Sequence, residues 1–391
     1  MVGSIYALNY AFGNIIGMKF PHPVITILAI IAVFIVEDLM AAVSSITQPE
    51  KVSFFEDPAT GLEAIVVLHS TALGPAAGGC RFWTYADRND ATTDAMRLAA
   101  GMTYKNALAG LPFGGGKAVI LRPAGEFHRT ALFKAFGKAV DSLGGAYVTA
   151  EDVGTLVSDM QAVRSVTRHV AGLPSEGSSA GGDPSPWTAL GVFLSMRHAA
   201  ERRLGGRLAG KTVAVQGVGN VGMELCHLLH QEGANLVVAD GSAERAAKAA
   251  HLYGAVLVSP EELLATEVDI VAPCALGAIL NERSIAGLKA KVVCGGANNQ
   301  LATPEDGRRL SARGILYAPD YLVNAGGIIN VVAEHMNETT TAVDERVRRI
   351  PERLAAVFDA AETSGEGPNF IADAMARAIV ADARRFDRSA A

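Results

Sequence analysis

Beyond about Val52 the chain alternates between short apolar runs and longer stretches in which apolar residues recur at helical spacing. "GLEAIVVLHS" (61–70) reads as a strand, and "DATTDAMRLAAGMTYKNALAG" (90–110) as a long helix capped by an Asp or Thr, with Lys105 near its C-terminal end. "GKAVIL" (116–121) reads as a short buried strand directly after a glycine run. "TALFKAFGKAVDSLG" (130–144) reads as an amphipathic helix, and "AYVTAEDVG" (146–154) as a strand running into a loop. Residues 172–186, "GLPSEGSSAGGDPSP", are dense in Gly, Ser and Pro and are the expected interdomain linker and hinge. A helix is expected from 187 to about 204. After it come the strand "TVAVQ" (212–216), the turn "GVGNVG" (217–222), the helix "MELCHLLHQEG" (223–233) and the strand "NLVVAD" (235–240). Further β/α alternation through "AVLV", "VDIVAPCA", "KVVCGGA" and "GILYAP" predicts a parallel, doubly wound sheet. The tail, about 340 to 385, reads as charged helix that packs back on the first domain or on a neighbouring subunit.

The first 39 residues differ from all that follows. "VITILAIIAVFIV" (24–36) is an uninterrupted run of thirteen residues closed by Glu37 and Asp38. About twenty residues are needed to span a bilayer, so the run is short for a membrane helix. A signal peptide and a start read too early, with Met40 as the first residue, are the other readings. The last is preferred, because the chemistry below requires a cytoplasmic cofactor.

Composition narrows the partners. At 391 residues the chain has room for two domains with their own cores. Half of its residues are apolar, 19% are charged, and the net charge of −6 comes without a basic block, which argues against nucleic acid. Cys80, Cys226, Cys274 and Cys294 are scattered and form no CxxC pair, so neither a disulfide framework nor a structural zinc site is expected and a reducing compartment fits. His227 and His230 share a helix face without a third ligand, and no metal site is expected.

Two features carry chemistry. Lys105 and Lys117 flank "NALAGLPFGGG", a stretch without an acid. A phosphate loop fails on spacing, because Leu111 and Ala118 stand where Gly and Ser or Thr are required. The pair must then serve a substrate. The second feature is Gly217, Gly219 and Gly222 between a predicted strand and a predicted helix, with Asp240 ending the next strand eighteen residues past Gly222. This context makes a dinucleotide fingerprint. Gly217 makes the turn, Gly219 admits the pyrophosphate, Gly222 lets helix meet strand, and Val218, Asn220 and Val221 complete the loop. Asp240 favours NAD over NADP by accepting from the ribose hydroxyls, although Arg245 stands close by.

In combination, "GPAAGGCR", "MTYKNALAGLPFGGGK", "TAEDVGT", "GDPSPWTALGV", "QGVGNVG", "GGANNQLA" and "APDYLVNAGGIINV" resemble the glutamate/leucine/phenylalanine/valine dehydrogenases, most of all the leucine/valine/phenylalanine branch. The resemblance runs from about Val52 to about 385. It implies an α/β protein of two domains. These are a substrate-binding and oligomerisation domain over 40–175 and a Rossmann-type NAD-binding domain over 185–340, with the active site in the cleft between them. Helices over 341–391 pack back on the first domain, and 1–39 form an apolar extension. It implies NAD-dependent oxidative deamination of an L-amino acid in a cytoplasmic homo-oligomer. It gives Lys105 the substrate carboxylate, with Asn298 or Asn299 as second donor. Lys117 becomes the base that activates water. A base must be neutral to work, and burial among glycines beside a second ammonium favours the neutral amine. Asp152 exchanges protons with the amino group and the departing ammonia, and Thr188 and Asn324 meet the nicotinamide and substrate. Alone, a lysine at a helix end is a solvated charge and an Asp before Val-Gly a turn; the motif order is what lifts both.

In glutamate enzymes of the family the residue before the glycine pair of "GPxxGG" is a lysine, and the residue at the end of "NAGGIINV" a serine. Here they are Ala77, ahead of Gly78, and Val331. Burying an unpaired side-chain carboxylate against them costs several kcal/mol, roughly. The side-chain pocket is therefore expected to be apolar, for leucine, valine or isoleucine, with phenylalanine as the alternative. A catalytically silent NAD-binding regulator is the reading from another class, and a membrane-anchored protein rests on 24–36 alone.

Overall fold

The computed structural model describes residues 48–275 and 277–390. The apolar run at 24–36 and the break at Met40 lie outside the described residues. The chain forms two α/β units, each around its own sheet. The first contains β1 (Lys51–Asp57), β2 (Leu62–Ser70), β3 (Ala76–Trp83), α1 (Arg88–Leu108), β4 (Gly114–Leu121), α2 (Arg129–Asp141), β5 (Tyr147–Glu151) and α3 (Val157–Arg164). Its strand order is β1-β2-β4-β3-β5, antiparallel through β4 and parallel beyond it.

Two strands here are absent from the sequence pattern. β1 is half-exposed along its length and shows no clean alternation. β3 is the "GPAAGGCR" motif, whose glycines carry little strand propensity. The strand expected from Gly116 starts two residues earlier: Gly114, Gly115 and Gly116 begin β4. The reason is the closeness of α1. A Cβ on Gly115 would stand 2.0 Å from the Thr103 amide nitrogen, and one on Gly78 would stand 1.9 Å from the Gly116 carbonyl oxygen. The helix answers with small buried residues at every fourth position, Ala91, Ala95, Ala99 and Thr103. Its cap is Asp87, which accepts from the Asp90 amide, three residues before the Asp expected from sequence; "ADRND" offers both.

The second unit contains α4 (Ser185–Leu204), β6 (Thr212–Gln216), α5 (Asn220–Gln231), β7 (Asn235–Ala239), α6 (Ala243–Tyr253), β8 (Val256–Leu257), α7 (Pro260–Leu263), β9 (Ile270–Pro273), α8 (Glu282–Gly287), β10 (Val292–Val293), α9 (Glu305–Ala312), β11 (Leu316–Tyr317), α10 (Asp320–Val323) and α11 (Gly326–His335). Its strands run β11-β10-β9-β6-β7-β8, all parallel, which is the doubly wound sheet expected. α12 (Thr340–Arg348), α13 (Ile350–Ser364) and α14 (Pro368–Ala390) follow. α13 lies on α4, and α14 lies on α1 of the first unit, where the Arg377 guanidinium sits 5.9 Å from the Tyr104 ring centroid. One apolar core runs from Leu108, Phe113 and Val148 through α4 and α11 to α13 and α14. Residues 172–182 are stapled across the units. Glu334 accepts from the Gly172 and Leu173 amides, and Asn330 bonds both the amide and the carbonyl of Gly181.

Candidate active site

The site grows from the order of three parallel strands. β3 lies between β4 and β5, so Lys117 on β4 and Asp152, the residue after β5, can meet only by reaching over β3. They meet at Gly79, where a Cβ would stand 2.9 Å from the Asp152 Cβ and 2.5 Å from the Glu151 carbonyl oxygen. Lys117 Nζ lies 2.9 Å from Asp152 Oδ2, and Lys117 is only 5% exposed. Arg81, two residues past Gly79 on the same face, places Nε 3.1 Å from that oxygen. Burial pushes the Asp152 carboxyl up, but Lys117 first and Arg81 next, with the Val153 amide, bring it down to about 2.

Lys105 stands in the last turn of α1 and donates from Nζ to Asn298 Oδ1 of the second unit at 2.9 Å. Burial pushes its ammonium down to about 8, with the like charge of Lys117 adding to the effect and Asp320 opposing it. Asn298 Oδ1 also accepts from Asn324 Nδ2 at 2.8 Å, and Asn324 Nδ2 reaches the Gly296 carbonyl at 3.1 Å. The Asn324 Oδ1 is buried without a partner. Of the two asparagines left open by the sequence, it is Asn298 that meets Lys105. Asn299 takes a left-handed φ of 53° and its carbonyl accepts from the Ala278 amide, while its side chain has no part in the Lys105 chain.

Ala77 lies on the face of β3 that carries Gly79 and Arg81, and is fully buried. Val331 packs with Ala150, Ala171 and Ile328, and Ala150 is the strand partner of Gly79 on that same face. The surface around the lysines is therefore small and apolar. Gly78 belongs to the close packing of β3 on β4, and its carbonyl accepts from the Tyr147 hydroxyl at 2.7 Å.

In the second unit Gly217 turns the chain with φ 90°, and Gly222 is tight, since a Cβ there would stand 1.9 Å from the Gly217 carbonyl oxygen. Gly219 caps α5, so the helix begins three residues before the sequence suggests; glycines at 219 and 222 do not break its first turn. Whether a dinucleotide fits can be judged from these residues. α5 has neither a side-chain cap nor an acid in its first turn, and a Cβ on Gly219 would meet nothing within 4 Å. Open space thus faces uncapped amides carrying partial positive charge, as a pyrophosphate requires. Asn220 is exposed and Val221 half-buried in that turn. Asp240 Oδ2 accepts from the Val218 amide at 2.8 Å, while Oδ1 accepts from the Ser242 amide and from Arg245, both at 2.7 Å. Thr188, at the start of α4, donates to the Pro184 carbonyl and lies against Gly327. Gly296 joins the two halves: a Cβ on it would stand 2.8 Å from a Val221 methyl, and its carbonyl holds Asn324.

Sequence reasoning missed Gly79, Arg81, Asp94 and Asp320. Gly79 and Arg81 stand inside "GGCR", where a small residue followed two places on by a cation was a usable signal. Asp320 is buried beside Lys105 in "APDY" and accepts from the Gln300 amide at 2.8 Å. Asp94 carries no signal, being one of two acids on α1 with nothing in the pattern to distinguish it.

Residues 49–169 match the family description "Glu/Leu/Phe/Val dehydrogenase, dimerisation domain", and residues 183–244 and 238–387 match "Glutamate/Leucine/Phenylalanine/Valine dehydrogenase". The chain is 48% identical over 329 residues to a leucine dehydrogenase of Thermoactinomyces intermedius, covering 84% of this chain and 89% of that one. It is 45% identical over 339 residues to a valine dehydrogenase of Streptomyces virginiae, covering 86% and 94%. Among solved structures, L-tryptophan dehydrogenase from Nostoc punctiforme superposes with a TM-score of 0.76 at 39% identity, over 87% of this chain and 98% of that one.

Proposed function

The chain belongs to the glutamate/leucine/phenylalanine/valine dehydrogenase family, and from that premise we propose that it deaminates branched-chain aliphatic L-amino acids oxidatively, giving the 2-oxo acid and ammonia. It is an amino-acid dehydrogenase, and its family uses nicotinamide cofactors. The observation that carries the assignment of roles is the buried Lys117–Asp152 pair at 2.9 Å, beside a Lys105–Asn298 contact at 2.9 Å that crosses from one unit to the other.

Lys105, charged, and Asn298 hold the substrate carboxylate, which fixes Cα in the cleft. Asp152 takes a proton from the substrate ammonium, so that the amine lone pair is free. When bound, the nicotinamide supplies the acceptor for the hydride that leaves Cα. Lys117 removes a proton from the water that attacks the iminium carbon. The carbinolamine then collapses: Asp152 returns its proton to the nitrogen, the C–N bond breaks as the carbonyl forms, and the hydroxyl proton leaves with ammonia as ammonium. Ala77, Ala150 and Val331 offer the side chain apolar surface only. The loop Gly217, Val218, Gly219, Asn220, Val221 and Gly222 would hold the pyrophosphate. The unpartnered Asn324 Oδ1 would take the nicotinamide end, with Thr188 as a further contact. Asp240 would take the ribose hydroxyls and repel a 2′-phosphate, while the charge of Arg245 is already committed to Asp240. The preferred cofactor is therefore NAD. The working form is a homo-oligomer, consistent with the dimerisation description of the first unit's family.

Aromatic amino acids are the second reading, favoured by the small Ala77 and by the likeness to a tryptophan dehydrogenase. The test is the rate of cofactor reduction by the purified chain with L-leucine, L-valine, L-isoleucine, L-phenylalanine, L-tryptophan and L-glutamate, each with NAD and with NADP. The highest kcat/KM is expected for a branched aliphatic substrate with NAD, and none for glutamate. An aromatic substrate in first place establishes the second reading. Absence of turnover with all six leaves a nucleotide-binding regulator. Equal use of NADP overturns the role given to Asp240.

A further inference from the structure

Arg81 has no role in the chemistry above, yet it touches the proton-carrying carboxylate and is itself held from behind. Its Nε lies 3.1 Å from Asp152 Oδ2, and its Nη1 lies 2.8 Å from Asp94 Oδ2 on α1. Asp94 is fixed by two further donors. The Tyr85 hydroxyl bonds the same oxygen at 2.8 Å, and Arg97 bonds Oδ1 at 2.9 Å. A guanidinium is a planar fork whose donors keep fixed directions, so a guanidinium tied at both ends cannot swing. Both cations on Asp152 make their shortest contact with Oδ2.

We propose that Arg81 is a positioning residue for the Lys117–Asp152 pair, braced against α1 by Asp94 and Tyr85. The role rests on the dehydrogenase reading and deepens it. Two consequences follow from the geometry. The Asp152 carboxylate is held by two cations on Oδ2, which fixes how it meets the substrate nitrogen. Its charge is also divided between two cations, so it is not the sole counter-ion of Lys117.

The other groups that act on this pair are Lys105 on α1, Asp320 through Lys105, and the Cys80 thiol and Tyr147 hydroxyl on the opposite face of the sheet, both pushed up by burial and neutral. None of them is altered by a change at Arg81 or Asp94.

The test is kcat and KM for L-leucine with NAD, each kcat normalised to the folded fraction by circular dichroism, for the full-length chain and three variants. Arg81→Gln is expected to lower kcat roughly 10²-fold, the scale of a misplaced catalytic group, with KM for leucine little changed, because Lys105 and Asn298 are untouched. Arg81→Lys, which keeps a cation on Asp152, should recover part of that loss. Asp94→Asn, which frees Arg81 from α1, should lower kcat in the same sense by a smaller factor; this variant also carries the test if Arg81→Gln does not fold. Wild-type kcat and KM in Arg81→Gln, or no recovery in Arg81→Lys, would overturn the proposal. Absence of wild-type turnover would instead strike the dehydrogenase reading itself.

Discussion

Lys105 shows how one residue can be read from sequence and still hold something back. Its type and place were legible, because an ammonium at the end of a long helix just ahead of a glycine run suits an anionic substrate. Its acidity was not, since that comes from burial and from Lys117, which only the folded chain brings near. The consequence can be measured with 4-methylpentanoate, a leucine-shaped carboxylate without an amine, whose own charge does not change between pH 6 and 10, roughly. Lys105 is charged below about 8 and neutral above it, so affinity should be flat at low pH and fall as pH rises through about 8. Lys105→Ala should bind weakly at every pH, without that slope. Isothermal titration would show both, and a flat profile in the native chain would remove Lys105 from the carboxylate. The choice between Asn298 and Asn299 was likewise closed to the sequence, because adjacent asparagines differ only in how the backbone turns them. The left-handed φ of Asn299 is what separates them.

At the scale of elements, periodicity found α1, α2, β2, β5 and the βαβ turn around Gly217, but it missed β1 and β3 and started β4 two residues late. β1 was missed because it is half-exposed along its length and shows no clean alternation; the glycine-bearing strands have another cause. Glycine carries no hydrophobic signal, so a strand built on glycines reads as a loop until the helix packed on it is seen. α1 and β4 approach so closely that Gly115 has no room for a methyl group against the backbone of Thr103. Gly115→Ala is therefore expected to cost about 3 kcal/mol, the upper end of ordinary overpacking, read as a lower urea midpoint. It should also reduce turnover, because α1 carries Lys105. Gly125→Ala, where a Cβ meets nothing within 4 Å, should leave the midpoint unchanged. Equal midpoints for the two variants would mean that α1 can shift away at little cost.

For the whole molecule, the two-unit plan was legible from the β/α alternation after 205 and the Gly/Ser/Pro-rich stretch before it. The staples that cross that stretch were not, since Glu334 and Asn330 meet it from some 150 or more residues away in sequence. The same long-range folding sets Lys105 and Asn298 face to face and lays Asp152 over Gly79 onto Lys117. The account depends on that assembly having two cations with different duties, one that holds substrate and one that takes a proton. The most direct measurement is the steady-state kinetics of Lys117→Ala with L-leucine and NAD, beside Lys105→Ala. Loss of a general base costs about 10²- to 10⁴-fold, and in Lys117→Ala it should fall on kcat, with KM near the native value. In Lys105→Ala the larger change should fall on KM. A Lys117→Ala enzyme with near-native kcat would contradict the account, because the water would then be activated by another group.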